Sequence, residues 1–206
     1  MDSPGPSQEA VVQRPTRTAR KQAVAQRAAQ LIEDDMVVFL DAGTTCQSVV
    51  PHLGARKNLT VVTNNFYVVT SLFAHPHIEV IRTGGAVDSS KGSSEGRIAA
   101  DAIKGVSIDL SFLSTGTWNM SRGATTPSMD KVEVKLAALE ASTSCFLLAD
   151  STKWNGLEFR VTAIEKLDAV VTDEQLHRET QENIRDLGVA VHVAHLSKGS
   201  FLYAPP

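Results

Sequence analysis

Apolar residues in this chain gather in two alternating kinds of run. Short β-branched or aliphatic runs occupy 36–40, 59–63, 78–81, 108–113, 145–149, 169–172 and 189–193. Several are apolar at consecutive positions, as strands are when both faces of a parallel sheet are covered. Between them lie segments of helical length at 45–52, 66–74, 97–104, 131–141 and 175–187. From Thr18 a helical stripe sets Val24, Ala28, Leu31 and Ile32 on one face, with Arg20, Lys21, Gln26 and Arg27 elsewhere. Thr16 or Thr18 is its predicted N-cap. Glu33-Asp34-Asp35 is its predicted stop, because acids in a last turn oppose the helix dipole. Residues 1–17, with three prolines and no apolar period, read as a flexible lead-in or linker. The βαβα rhythm predicts an α/β fold: a single three-layer, Rossmann-like domain over 18–206, its mainly parallel sheet flanked by helices. The stretch 114–128 is rich in Ser, Thr and Gly and reads as a long functional loop.

Composition narrows the function more than the fold. A chain of 206 residues with 42% apolar and 21% charged residues suits one globular domain. A formal charge of −3 lacks the basic excess that whole-chain nucleic-acid binding brings. The segment 14–27 is locally basic, with Arg14, Arg17, Arg20, Lys21 and Arg27. Such a stripe contacts phosphates without reading sequence, and it reads here as a solvated helix face near a junction. Cys46 and Cys145 are far apart with no Cys-x-x-Cys, which argues against a disulfide scaffold or structural zinc. No metal or cofactor is implied. No apolar run approaches the ~18 residues of a membrane span, so a cytoplasmic location is expected.

The candidate chemistry lies in polar turns that follow the predicted strands, where open parallel sheets bind ligands. Asp41-Ala42-Gly43-Thr44-Thr45 follows the first: glycine admits an anion close to the backbone, and the threonines add hydroxyls. Asp41 would repel a dianion, so it accepts from a sugar hydroxyl or braces the loop. Thr63-Asn64-Asn65 offers donors and acceptors and also suits helix capping. Thr83-Gly84-Gly85 permits close approach of a ligand or of another backbone. Ser114-Thr115-Gly116-Thr117 opens the polar loop, and Asp150-Ser151-Thr152-Lys153 places a counter-charge beside a strand end. Trp118 and Trp154 flank these segments and serve either a sugar ring or the core.

These motifs, with Gly123-Ala124-Thr125-Thr126, Glu133-Val134-Lys135 and Val171-Thr172-Asp173, stand in the order seen in the C-terminal sensor domain of DeoR-type bacterial repressors. The chain resembles that family from about Gln22 to Val193. The resemblance implies a fold related to ribose-5-phosphate isomerase and CoA-transferase-like proteins. It also implies binding of a phosphorylated sugar or related metabolite that controls repression of sugar catabolism. It places Gly43, Thr44 and Thr45 at the ligand's phosphate or hydroxyls, with Lys153 and Lys135 around the same crevice. Together with the polar turns, the expected ligand-binding residues are Asp41, Gly43, Thr44, Thr45, Thr63, Asn64, Asn65, Gly84, Gly85, Thr115, Gly116, Thr117, Lys135 and Lys153. The Ser-Thr-Gly-Thr-Trp run at 114–118 departs from the family's usual run, which leaves ligand identity open. The N-terminal DNA-binding domain is expected outside this chain, so DNA is contacted only through it, and a homo-oligomer is expected.

The rival is an isomerase-like enzyme. Aldose–ketose isomerisation needs a base beside the C1/C2 protons. Isomerases carry an Asp-Gly-Ala-Asp segment after the strand that resembles 108–113, and here Ser114 to Thr117 bring neither carboxylate. Glu133 is the remaining candidate base, in a predicted helix. The expected function is therefore sensing, not catalysis.

Overall fold

In the computed structural model, which describes residues 8–156 and 158–196 and the side chains from Arg17 onward, seven strands form one parallel sheet. These are β1 (Val37–Leu40), β2 (Thr60–Thr63), β3 (Glu79–Arg82), β6 (Ile108–Ser114), β9 (Ser142–Leu148), β11 (Ala169–Asp173) and β12 (Ala190–Ala194). Their order is β12-β11-β9-β6-β1-β2-β3, and every pairing is parallel. The chain builds outward from β1 to β3, then returns to the other side of β1 with β6 and continues to β12. β1 and β6 are thus neighbours whose connections leave in opposite directions, and a crevice opens beyond their carboxyl ends.

Among the described residues, six α-helices cover the two faces: α1 (Gln8–Ala29), α2 (Thr44–Gln47), α3 (Phe66–Leu72), α4 (Gly96–Lys104), α5 (Met129–Ala141) and α6 (Arg178–Asp186). Alternate residues of each central strand enter different cores. Phe39, Val62, Leu113, Leu147 and Val170 pack with Ile103 of α4, Val134 of α5 and Ile184 of α6. Val38, Leu40, Val61, Phe112, Leu148 and Val171 pack with Val24 of α1, Cys46 of α2 and Val68 of α3. Each buried Val, Leu or Ile contributes about 1.5–3 kcal/mol. This two-sided burial is the cause of the consecutive apolar runs, and the expected three-layer α/β architecture is the observed one.

Local differences have identifiable causes. α1 begins at Gln8, ten positions before the expected Thr18, so 8–17 is helical and not a loose lead-in, while 1–7 lie outside the described residues. Gln, Glu, Ala and Arg are good helix formers, and Pro15 costs the helix one backbone bond. The expected domain end, 197–206, also lies outside the described residues. The expected helix at 45–52 is only the short α2 and a 3-10 turn at Val50–His52. The expected loop at 114–128 contains β7 (Thr117–Asn119) and β8 (Gly123–Thr126), which join β10 (Phe159–Thr162) in an antiparallel sheet. Threonine suits strands as well as loops. Here Thr117 Oγ1 and Thr125 Oγ1 lie 2.7 Å apart across the β7–β8 pair. A second hairpin, β4 (Ala86–Asp88) and β5 (Ser93–Glu95), was not legible either. No helix among the described residues is long and apolar enough to cross a membrane. Cys46 and Cys145 are free and buried, and burial pushes both thiols up to about 12.

Candidate functional site

The site begins where β1 ends. Asp41 leaves the strand into a turn at Gly43, and a Cβ on Gly43 would stand 2.8 Å from Ser114 Cβ. Glycine thus lets the turn close against the end of β6. The buried carboxylate of Asp41 is fully occupied there. Its Oδ1 accepts from Ala42 N at 2.8 Å, and its Oδ2 accepts from Ser114 N at 2.9 Å and from the ammonium of Lys135. Lys135 reaches down from α5 and also donates to Ser114 O at 2.8 Å. Asp41, Ser114 and Lys135 therefore tie together the two strands that flank the crevice. Of the two roles open to Asp41, the geometry shows the brace.

A cavity of about 750 Å³ lies over this brace. Lys21 of α1 and Thr44 of α2 form one wall, where Lys21 Nζ donates to Thr44 Oγ1 at 2.8 Å. Thr115, Gly116, Lys153 and Glu158 form another. Lys153 sits in the 3-10 turn Ser151–Lys153 after β9 and donates to Thr115 O at 2.6 Å. That turn is pinned from below: Asp150 accepts from Thr152 N at 3.0 Å, and Asp173 of β11 accepts from Ser151 N at 2.7 Å. Burial lowers the pKa of Lys153, and the charges of Lys21 and Lys135 lower it further against the opposing pull of Asp150. Asn64, Asn65, Tyr67 and Lys91 complete the rim.

Among the described residues, five lysines and two carboxylates line the cavity. Lys135 is paired with Asp41. Lys131 of α5 pairs with Asp88 at 2.7 Å and Glu95 at 3.2 Å, and holds Asp88 well below the usual carboxylate range. Among the described residues, Lys21, Lys91 and Lys153 have no carboxylate within 4 Å. Positive charge therefore exceeds the remaining carboxylate, Glu158, in a partly enclosed space. The positive field here rests on these ammoniums, since α2, only four residues long, is too short to supply a helix dipole.

Of the residues expected from sequence, Asp41, Gly43, Thr44, Asn64, Asn65, Thr115, Gly116, Lys135 and Lys153 line this cavity. Thr45, Thr63, Gly84, Gly85 and Thr117 do not. Thr45 is buried on α2. Thr63 donates to Leu40 O at 2.6 Å and braces β2 against β1. Gly85 has φ 118°, and a Cβ there would meet Glu95 O at 2.7 Å, so its role is close backbone approach. Gly84 faces Ile98 of α4, and Thr117 is engaged by Thr125. Asn65 caps α3 by accepting from Tyr67 N at 2.9 Å. Trp118 is fully buried and packs edge-on against Trp154, with ring centroids 4.8 Å apart; neither lines the cavity. Glu133 is on the exposed face of α5, outside it.

Sequence reasoning missed Lys21, Tyr67, Lys91, Lys131 and Glu158 as lining residues. Lys131 had a readable signal, since it lies four residues before Lys135 on one helix and so shares its face. Lys21, read as part of a solvated stripe, instead points into the crevice. Its signal is tertiary.

The DeoR C terminal sensor domain model matches residues 16–174. The chain belongs to this family. An "uncharacterized HTH-type transcriptional regulator" of Haemophilus influenzae is 32% identical over 173 residues, covering 84% of this chain and 67% of that protein. The regulator YgbI of Escherichia coli is 35% identical over 158 residues, covering 76% and 62%. This DeoR sensor domain thus spans about two thirds of the length of these relatives. The crystal structure of eIF2B delta from Chaetomium thermophilum shares the fold, with a TM-score of 0.56 at 15% identity over 83% of this chain and 65% of that one.

Proposed function

We propose that this DeoR sensor domain binds a phosphorylated sugar or related metabolite in the cavity beyond β1 and β6. Occupancy then alters repression of sugar catabolic genes by a helix-turn-helix part of the regulator. The carrying observation is the excess of ammonium over carboxylate in a crevice of about 750 Å³ at the point where the strand order reverses. Thr44, Asn64 and the backbone at Gly43 and Gly116 suit the hydroxyls and oxygens of such a ligand. The regulator acts as a homo-oligomer, because paired reading heads match two-fold operators, and it acts in the cytoplasm, where such metabolites and DNA meet. A sensor is favoured over an isomerase because the relatives are named as transcriptional regulators and Glu133 lies outside the cavity.

Lys153→Ala tests the proposal. In a thermal-shift panel, sugar phosphates raise the melting temperature of the parent, while their unphosphorylated counterparts do not. The variant keeps its fold and loses the shift, with affinity at least about tenfold lower for want of a charge-assisted bond. Equal shifts in parent and variant would sink the assignment.

The lowered pKa of Lys153 adds a pH signature. Without added ligand, the unfolded chain holds this proton to higher pH than the folded one. The group's contribution to stability therefore rises with pH between its folded pKa and the ordinary value of 10.5. Phosphate binding runs the other way, because it needs the ammonium. The melting shift given by a sugar phosphate is expected to shrink as pH rises through the lowered pKa of Lys153 toward the ordinary value of 10.5. A shift constant to 10.5 contradicts the role given to Lys153.

A further inference from the structure

We infer that Lys21 is a ligand-binding residue whose contact with the bound anion makes α1 respond to occupancy. The inference rests on the phosphate-binding reading above and assigns that site a cation from outside its strand-end turns.

Lys21 and Lys153 reach the cavity from different parts of the fold, one from α1 and one from the turn after β9. Each ammonium donates to a neutral oxygen, Lys21 to Thr44 Oγ1 at 2.8 Å and Lys153 to Thr115 O at 2.6 Å. Neither has a carboxylate within 4 Å among the described residues. The charge of Lys21 is also one of those that depress the pKa of Lys153, after the larger effect of burial, so the two ammoniums share one electrostatic field. An anion between them exchanges two neutral acceptors for a charged one, which adds Coulombic attraction to hydrogen bonds whose donors are already ionised.

The leverage on α1 follows from how that helix is attached. Among the described side chains of α1, the buried ones are Ala19, Val24, Ala25, Ala28 and Ala29. Four of these five are alanine, whose small side chains each bury little apolar area, and Val24 is the one larger anchor among them. Arg27 and Ala29 make further polar contacts near the C-terminal end, to His192 at 3.3 Å and from Arg56 at 3.3 Å. Lys21 lies one turn before Val24, on the part of the helix that leads back toward Gln8. A ligand that bonds Lys21 binds better when α1 is docked than when it is loosened. By reciprocity, it favours the docked state.

The test uses the whole chain, inorganic phosphate as probe, and two readouts: affinity by calorimetry and amide exchange across residues 17–29. In the parent, phosphate slows exchange in α1 and leaves α6 unchanged. Lys21→Met weakens phosphate by about tenfold and abolishes the slowing in α1. Lys21→Arg, which keeps the charge, retains most of both and shows that the Met variant did not act by misfolding. If Lys153→Ala loses phosphate while Lys21→Met keeps both affinity and protection, the role of Lys21 is overturned and the binding site stands. Slowing spread equally over α1 and α6 overturns the coupling to α1. If the parent takes up no phosphate, the site reading fails and this inference fails with it.

Discussion

Replacing Lys135 with Met lowers the stability of the ligand-free domain by about 3–5 kcal/mol, the cost of stranding one partner of a buried ion pair. The carboxylate of Asp41 is 1% exposed and keeps only the donors from Ala42 and Ser114 once the ammonium is gone. The loss is local but spreads, because Lys135 also donates to Ser114 O and so joins α5 to the ends of β1 and β6. The double variant Asp41→Asn/Lys135→Met recovers much of that stability, since no buried charge is left alone. Urea unfolding of the two single variants and the double measures this. A cost under about 1 kcal/mol for Lys135→Met, or strictly additive losses, would show that the pair is not the brace described.

Gly123→Ala is expected to destabilise the domain by on the order of 3 kcal/mol, from left-handed backbone and overpacking together. Gly123 has φ 72°, and a Cβ there would stand 1.9 Å from the carbonyl oxygen of Thr162. The clash is with backbone of β10, which pairs with β8 through Ala124 and Thr162, so no rotamer change relieves it. β8 carries Thr126 of the cavity and Thr125, whose carbonyl lies 2.8 Å from Thr115 Oγ1. The response to sugar phosphate should therefore weaken along with stability. Gly188 is the control: it has φ 82°, and a Cβ added there would meet nothing within 4 Å. Gly188→Ala thus costs only the conformational part, about 1 kcal/mol. Equal melting temperatures for the two variants would remove the steric cause.

The turns that carry the site were partly legible, and the reason differs from residue to residue. Gly43 and Thr44 follow β1 directly, so strand pattern and turn composition together point to them. Lys153 was visible in the same way after β9. Gly85 has the composition of a ligand turn, yet it serves backbone packing against Glu95, and only the three-dimensional arrangement tells those uses apart. Thr63 and Thr117 likewise spend their hydroxyls on neighbouring strands. The stretch 114–128 misled because Ser, Thr and Gly mark loops in composition, whereas cross-strand pairing makes half of it sheet.

What this chain's sequence determined by itself is the alternation of strands and helices, the seven-strand α/β layer, and the motif order of the DeoR sensor family. Each is written in local spacing, because a strand covered on both faces needs apolar residues in succession wherever it sits. Only the tertiary structure decided which charges face the crevice. Asp41 and Lys135 neutralise one another, Lys131 is held by Asp88 and Glu95, and Lys21 comes in from a helix remote in sequence. The physical reason is that the cavity exists only where the strand order reverses between β1 and β6. That reversal is a property of how the sheet is assembled, so the partners it brings together have no fixed spacing along the chain.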